Sequence, residues 1–544
     1  MKKWGVLILM SLSMFIIVID TTIMNVSISA LVADLNTTIS GIQSAIALYA
    51  LVMASFMLIG GKLADIVGKK RIFVVGLVIF GIGTTTASLS HSLTVLLIGW
   101  SVLEGIGSAL MMPNIQTILR SEYAGPARAT AYGVVSAVAA AGAAIGPIVG
   151  GFLTTYASWR WAFRLEVLIV IVVLLLSGRI TQDILAENRP KFDFLGAVLS
   201  IIGWASIVLG ILLGQEYGFW LAKKPFMLGG VPIAPFGLSI VPFLIGWGAL
   251  VILLLFRWEA RQEAKRADGL FRPSLLGLEG LTAGFAVRFV HMAIMAAFLF
   301  LLPLLLQLTF EYTAMQTGLA LIPYSLSVLI FALLGARLSA RLPAKRLIQI
   351  GFGLGIAGLF IMTTTIPTAA KATDLASGAL FGAGMGLVAS QILNLILSSG
   401  SAEETAEIAG LNGTFEQLGN SIGVALVGTI MLMTLSAGMQ QAIDASSALG
   451  PEEKTAVNAA VEESIELVSD SQLESALTAV GVDPAAQQAL GETYARERTQ
   501  AFQAGMMFLV FVALGGFIMT TGLSSRKLVE APQEKSADAE VVGV

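Results

Sequence analysis

The sequence predicts an all-α membrane protein of fourteen spanning helices, and three observations carry that prediction. Hydrophobic residues make up 56% of the 544 positions, while Asp, Glu, Lys and Arg together make up only 12%. A soluble domain carries roughly 25% charged residues, so too few polar side chains remain here to coat a water-soluble core. The apolar residues fall into fourteen stretches of the length a helix needs to cross a bilayer. The basic residues favour alternate connections between those stretches, which is the pattern of oriented insertion.

In order, the stretches are 4–31, 41–62, 72–92, 93–118, 130–155, 160–180, 194–214, 238–256, 279–308, 316–340, 346–367, 372–398, 408–436 and 502–523. The first follows Met1-Lys2-Lys3 and so resembles a signal peptide. It is long enough to span, and no small-residue cleavage site follows it closely, so it is expected to remain as span 1. His91-Ser92 alone separates spans 3 and 4, and residues 309–315 separate spans 9 and 10; connections this short suit helical hairpins. With the N-terminus in the cytoplasm, 23 of the 32 Lys and Arg fall on the cytoplasmic side, and an even number of spans places the C-terminus there too. Two segments break the pattern. Residues 437–501, on the outer side, hold eleven acids against three bases, with Pro451 and Asp483-Pro484 as punctuation. Ala, Glu and Gln between those breakers predict short helices. The segment is either a tolerated insertion or an attractor and lid at the exit. The tail from Ser524 is polar, lacks aromatics and is expected to be disordered.

Three strings carry chemistry. In span 1, Ile19-Asp20-Thr21-Thr22-Ile23-Met24-Asn25-Val26 places a carboxylate at mid-helix. An acid there costs several kcal/mol unless it faces a cavity or a partner, which makes it a functional candidate. In the loop after span 2, Gly61 and Gly68 allow tight turns, and Asp65 is the one acid among Lys62, Lys69, Lys70 and Arg71. In span 5, Gly142, Gly146 and Gly150 follow at four-residue steps, with Pro147 and Gly151 beside them and Gly133 upstream. Such a stripe lets a second backbone approach closely, and Pro147 removes a backbone donor and is expected to bend the helix.

These strings resemble three motifs of the major facilitator superfamily. The span 5 stripe is similar to the antiporter motif C, G-x8-G-x3-G-P-x2-G-G, with every glycine present. The loop 61–71 resembles motif A, which latches the cytoplasmic side in one conformation, and Gly335, Arg337, Arg341, Lys345 and Arg346 resemble a degraded copy of it in the second half. The span 1 string resembles the L-D-x-T-I-V-N-V-A-L-P signature of fourteen-helix drug:proton antiporters, departing at Ser29, where that family has Pro. The chain is thereby identified as a member of the QacA/EmrB type. The resemblance implies two six-helix halves, 1–193 and 258–436 completed by span 14 at 502–523, with two extra spans in 194–257, the acidic insert 437–501 and the tail 524–544. Departures from the family are informative: Ser101 and Glu104 stand at the Arg and Gln of motif B, Glu166 stands where Asn is usual, and Glu416 replaces an Arg. Arg288 and His291 lie one turn apart in span 9. Either Glu104 or Glu416 takes protons with Arg288 as counter-charge, or Arg288 and one Glu form a fixed structural pair.

The rest of the reading is exclusion. There are no cysteines and only two histidines, His91 and His291, so neither disulfides nor a histidine-rich metal site is expected. The net charge of −3 argues against nucleic acid as a partner. No Walker A loop or covalent-catalysis motif occurs, so neither an ATP-driven pump nor an enzyme is expected, and no cofactor. The resemblance implies a monomeric multi-pass protein of the cell membrane that exports small amphiphilic, cationic compounds in exchange for protons. Asp20, Asn25, Glu104, Arg288 and Glu416 are the substrate and coupling candidates. Gly61, Asp65, Gly68, Lys69, Arg71, Gly142, Gly146, Pro147, Gly150 and Gly151 are the conformational ones. A same-fold exporter of a lipid, metabolite or antibiotic is the alternative, and a non-transporting membrane sensor a more distant one.

Overall fold

The structure is a computed structural model that describes residues 2–123, 125–180, 191–228, 231–233, 235–401, 404–445, 466–479 and 484–524. The tail beyond residue 524, and residues 446–465 and 480–483 of the acidic insert, lie outside the described residues.

Fourteen described helices are long and apolar enough to cross a membrane. Spans 1 to 6 are Trp4–Val26, Ile39–Val67, Lys69–Ser88, Leu93–Glu122, Thr130–Tyr156 and Arg160–Arg179. Spans 7 and 8 are Phe194–Gly214 and Ile240–Ala264. Spans 9 to 14 are Leu281–Thr309, Ala314–Leu338, Ala344–Thr368, Ala372–Leu397, Glu407–Ala445 and Gln487–Gly522. Side-chain caps start several of them. Thr38 accepts from Gly41, Ser92 from Val95 and Asp193 from Gly196, while Thr313 and Gln316 form a reciprocal capping box before span 10. Spans 2 and 3 join at Gly68, whose φ of 121° only glycine tolerates. A short antiparallel pair of strands, Phe226–Leu228 with Val231–Ile233, sits between spans 7 and 8.

The packing repeats. Span 1 packs on span 5, 2 on 4, 3 on 4, and 3 on 6. In the second half, 9 packs on 13, 10 on 12, 11 on 12, and 11 on 14. Each pair maps onto its counterpart by a shift of eight spans, as it must in a chain built from two equivalent six-helix halves. Spans 7 and 8 pack on each other and touch the halves through span 7, against spans 2 and 13. The halves meet along two seams, span 2 with 13 and span 5 with 10, and the same shift exchanges the two.

Three local features differ from the sequence expectation. Span 1 stops at Val26, and a separate helix, Ile28–Asp34, follows the turn at Ser27. Spans 13 and 14 extend well past their apolar parts, in helices Thr405–Ala445 and Pro484–Met519. Residues at both edges of the acidic insert therefore continue the spanning helices. They are rich in the helix formers Ala, Gln and Glu, and Pro484 stands at the first turn, where proline is tolerated. Among the described residues of the insert, Asp470–Ala479 forms a short separate helix. Finally, Leu97–Glu104 within span 4 is a π-helical segment, a geometry that often marks a working site.

Candidate functional site

Asp20 is 1% exposed at the middle of span 1, and its Oδ2 accepts a hydrogen bond from Trp100 Nε1 of span 4 at 3.1 Å. Two further acids converge on it. Glu104 ends the π segment and is fully buried; Glu166, from span 6, is 2% exposed. One carboxylate oxygen from each of the three lies within 4.8 Å of the others. Two ionised carboxylates at that spacing repel by about 3 kcal/mol even at an effective dielectric of about 20. The donors near them are few and neutral: Thr84 Oγ1 of span 3 reaches Glu166 Oε2 at 3.1 Å and also faces Glu104, and Asp20 has Trp100 with the Tyr49 hydroxyl beside it. Tyr49 of span 2 shares a hydrogen bond with Ser108 and stacks on Trp100, with ring centres 5.7 Å apart. Ser101, at the position where a motif B arginine would stand, is fully buried and donates to Ala45 O at 2.8 Å.

The glycine stripe of span 5 explains how span 1 is held. A methyl group at Gly146 would overlap Thr22, and one at Gly150 would press on Ile23 and Val26; Gly142 lies against Phe15 and Val18. The stripe thus seats span 1 along the stretch that carries Asp20. Gly151 and Pro147 face the other way. Added bulk at Gly151 would meet the backbone of Ala314 and Met315, and the Pro147 carbonyl lies against Gly318 of span 10. One helix therefore joins the carboxylate helix of the first half to the second half, and it continues through Pro147 as helix Gly125–Tyr156. Gly133 faces open space.

In the second half, Arg288 Nη2 pairs with Glu416 Oε2 at 2.5 Å, with the side chains 11% and 13% exposed. Arg288 is thus paired within its own half, and Glu104 with the acids of the other. His291 Nε2 meets Met385 O at 3.2 Å. Asn25 donates to Thr21 O of its own helix at 2.9 Å. Polar side chains cross between the halves: Gln43 Nε2 donates to Val424 O and Ala425 O, Ser421 to Ala47 O, and Gln307 Nε2 to Val26 O. In the loop 61–71 the charges beside Asp65 are Lys62 and Lys69 of the same loop. Gly61 faces open space, Lys70 Nζ caps Ile180 O at 2.6 Å, and Arg71 is exposed.

The sequence marks Asp20 and Glu104 as separate candidates and Glu166 as a departure from the family pattern. The structure places all three in one cluster. A carboxylate inside an apolar span was signal enough to include Glu166; its nearness to Asp20 depends on how spans 1, 3, 4 and 6 pack.

Two pseudo-symmetric six-helix halves, with three acids buried inside the first, are the architecture of a membrane transporter rather than an enzyme. The Major Facilitator Superfamily family model matches residues 10–424, and the chain belongs to that superfamily. The curated relatives include the "Probable actinorhodin transporter" of Streptomyces coelicolor, 27% identical and covering 98% of this chain and 93% of that one. The cephamycin export protein CmcT of Amycolatopsis lactamdurans is 30% identical over 78% of this chain and 84% of its own. The multidrug transporter protein MdtP of Bacillus subtilis is 25% identical over 77% and 74%. Among solved structures, a bacterial homologue of the human lysosomal transporter Spinster in an inward-facing, unoccupied conformation aligns with a TM-score of 0.59 at 15% identity, covering 97% of this chain and 99% of that one. An auto-inhibited POT-family peptide transporter aligns with a TM-score of 0.60 at 12% identity, over 97% and 98%. These two show the shared fold.

Proposed function

We propose that the protein is a proton-coupled efflux antiporter of the cell membrane that exports amphiphilic, cationic compounds, working as a monomer with both termini in the cytoplasm. The observation that carries this reading is Asp20, buried at mid-span, with no basic partner in its hydrogen bonds and seated by the glycine stripe that also touches the second half. A carboxylate in such a place holds either a proton or a cation. Binding one excludes the other, and that mutual exclusion is exchange written as linkage. The relatives named as export and multidrug transport proteins support the direction of transport. A second reading, export of an antibiotic, is favoured by the actinorhodin and cephamycin names of two relatives.

The test is transport into inverted membrane vesicles energised by respiration, with ethidium as the cationic probe. Uptake that stops on adding a protonophore, and that Asp20→Asn abolishes at matched expression, is expected. Uptake indifferent to the protonophore would overturn proton coupling. Export of an antibiotic with no transport of ethidium would favour the second reading.

A further inference from the structure

We propose that Glu166 completes, with Asp20 and Glu104, a single buried site that holds two protons, so that the coupling ion is taken up by three spans at once; the inference rests on the proton-exchange reading above. Asp20 Oδ1, both oxygens of Glu104 and Glu166 Oε1 are all buried and make no hydrogen bond of normal geometry to the described residues. Buried acceptors left bare are costly, and an ionised carboxylate offers acceptors only. The deficit closes when the carboxyl groups share protons, because a protonated carboxyl donates to the neighbour beside it. Glu104 has both oxygens free and lies against both other acids, so it is the member that can meet two neighbours at once. Two protons shared among the three carboxyls then satisfy the bare oxygens and leave one negative charge spread over the cluster, with Trp100 Nε1 donating to it through Asp20 Oδ2.

Among the described residues, no base stands with the groups that act on these acids. Tyr49 of span 2 is the one further titratable side chain that the described residues place against them; Thr84 of span 3 and Trp100 of span 4 supply the neutral donors. The Arg288–Glu416 pair belongs to the other half and is mutually satisfied at 2.5 Å. Three like charges brought together without a counter-charge must titrate as a unit. The π-helical segment ending at Glu104 supplies the local geometry, since it carries Trp100, Ser101 and Glu104 on one short stretch of span 4.

The experiment counts protons exchanged per ethidium in proteoliposomes, for the wild-type protein and for Glu166→Gln, Glu104→Gln and Glu166→Asp. In parallel, a hydrophobic carbodiimide, which modifies protonated carboxyl groups within membranes, is mapped by mass spectrometry on the wild-type protein alone. The expected results are about two protons per ethidium in the wild type, about half that in Glu166→Gln, recovery in Glu166→Asp, and carbodiimide modification at Glu166 that declines as pH is raised. An unchanged proton count in Glu166→Gln, with the wild type still coupled, overturns the three-carboxyl site and leaves proton antiport standing. A wild type that transports without protons overturns the antiport reading instead, and modification of Glu166 then decides the cluster independently. Transport that needs sodium and leaves Glu166 unmodified shows a metal cation in the site and overturns the proposal. Should Glu166→Gln fail to fold, the labelling of the wild type decides.

Discussion

At the scale of single residues, the structure separates groups that carry charge from groups that set distance. Gly146 belongs to the second kind. A valine there would drive into Thr22 and push span 1 off span 5, an overpacking cost of about 1–3 kcal/mol. Gly146→Val is expected to lower the melting temperature of the purified protein and to cut transport, whereas Gly133→Ala, which faces open space, should do neither. Equal effects of the two would contradict the packing account. Arg288 and Glu416 test differently. Replacing Glu416 alone by Gln strands a largely buried guanidinium, at a cost of about 3–5 kcal/mol. If the pair is structural, Arg288→Gln with Glu416→Gln should recover thermal stability and keep the wild-type pH profile of efflux. A double variant that is stable yet has lost proton coupling would place the pair in the coupling machinery.

At the scale of elements, the acidic segment is built into the protein at its far edge. Arg498, 1% exposed on the last long helix, pairs with Asp470 at 3.0 Å and donates to Val468 O; the Tyr494 hydroxyl contacts Glu466 O and Val468 N. Ser471 N donates to Glu311, just before span 10. The Glu466 side chain meets Ser40 and Thr38 at the start of span 2. The segment thus touches both halves at the end of the bundle opposite the basic loops. Burial pushes the Glu466 carboxyl up to about 7, against the pull of those two hydroxyls. The packed form therefore binds the proton more tightly than the released form. Its advantage is full below the ordinary carboxyl range and is lost as pH rises through about 7. Hydrogen exchange of residues 466–479, corrected for intrinsic rates, should be slower at pH 6 than at pH 8, and Glu466→Gln should remove the difference. A difference that persists in Glu466→Gln would assign it to another group.

At the scale of the whole molecule, the two seams are the surfaces that must part if the halves rock against each other. Ser421 Oγ lies 2.7 Å from Ala47 O on the seam of spans 2 and 13, and the chain has no cysteine of its own. Ala47→Cys with Ser421→Cys should therefore stop transport on oxidation and release it on reduction. Full transport by the cross-linked protein would show that this seam does not open. Much of this architecture was legible in the sequence, because bilayer thickness fixes the length of an apolar run and the fourteen spans follow from it. The glycine stripe was legible too, since a four-residue step on a helix has one geometric meaning. What escaped were facts of packing between helices. Nothing in the local string around Glu166 states that it meets Asp20, and which of Glu104 and Glu416 pairs with Arg288 depends on spans 9 and 13 being neighbours. That the helices of spans 13 and 14 run on into the acidic insert has a related reason: hydropathy ends a span where the membrane ends, while helix propensity carries the backbone on past it.

The central claim is that a buried carboxylate on span 1 exchanges protons for cationic substrate. The most direct measurement is ethidium movement in proteoliposomes under an imposed pH gradient with no other energy source, comparing the wild-type protein with Asp20→Asn. Ethidium accumulation in the wild type should follow the gradient, reverse when the gradient is reversed and collapse with protonophore, and Asp20→Asn should show none of these. Gradient-driven accumulation of equal size in Asp20→Asn would contradict it.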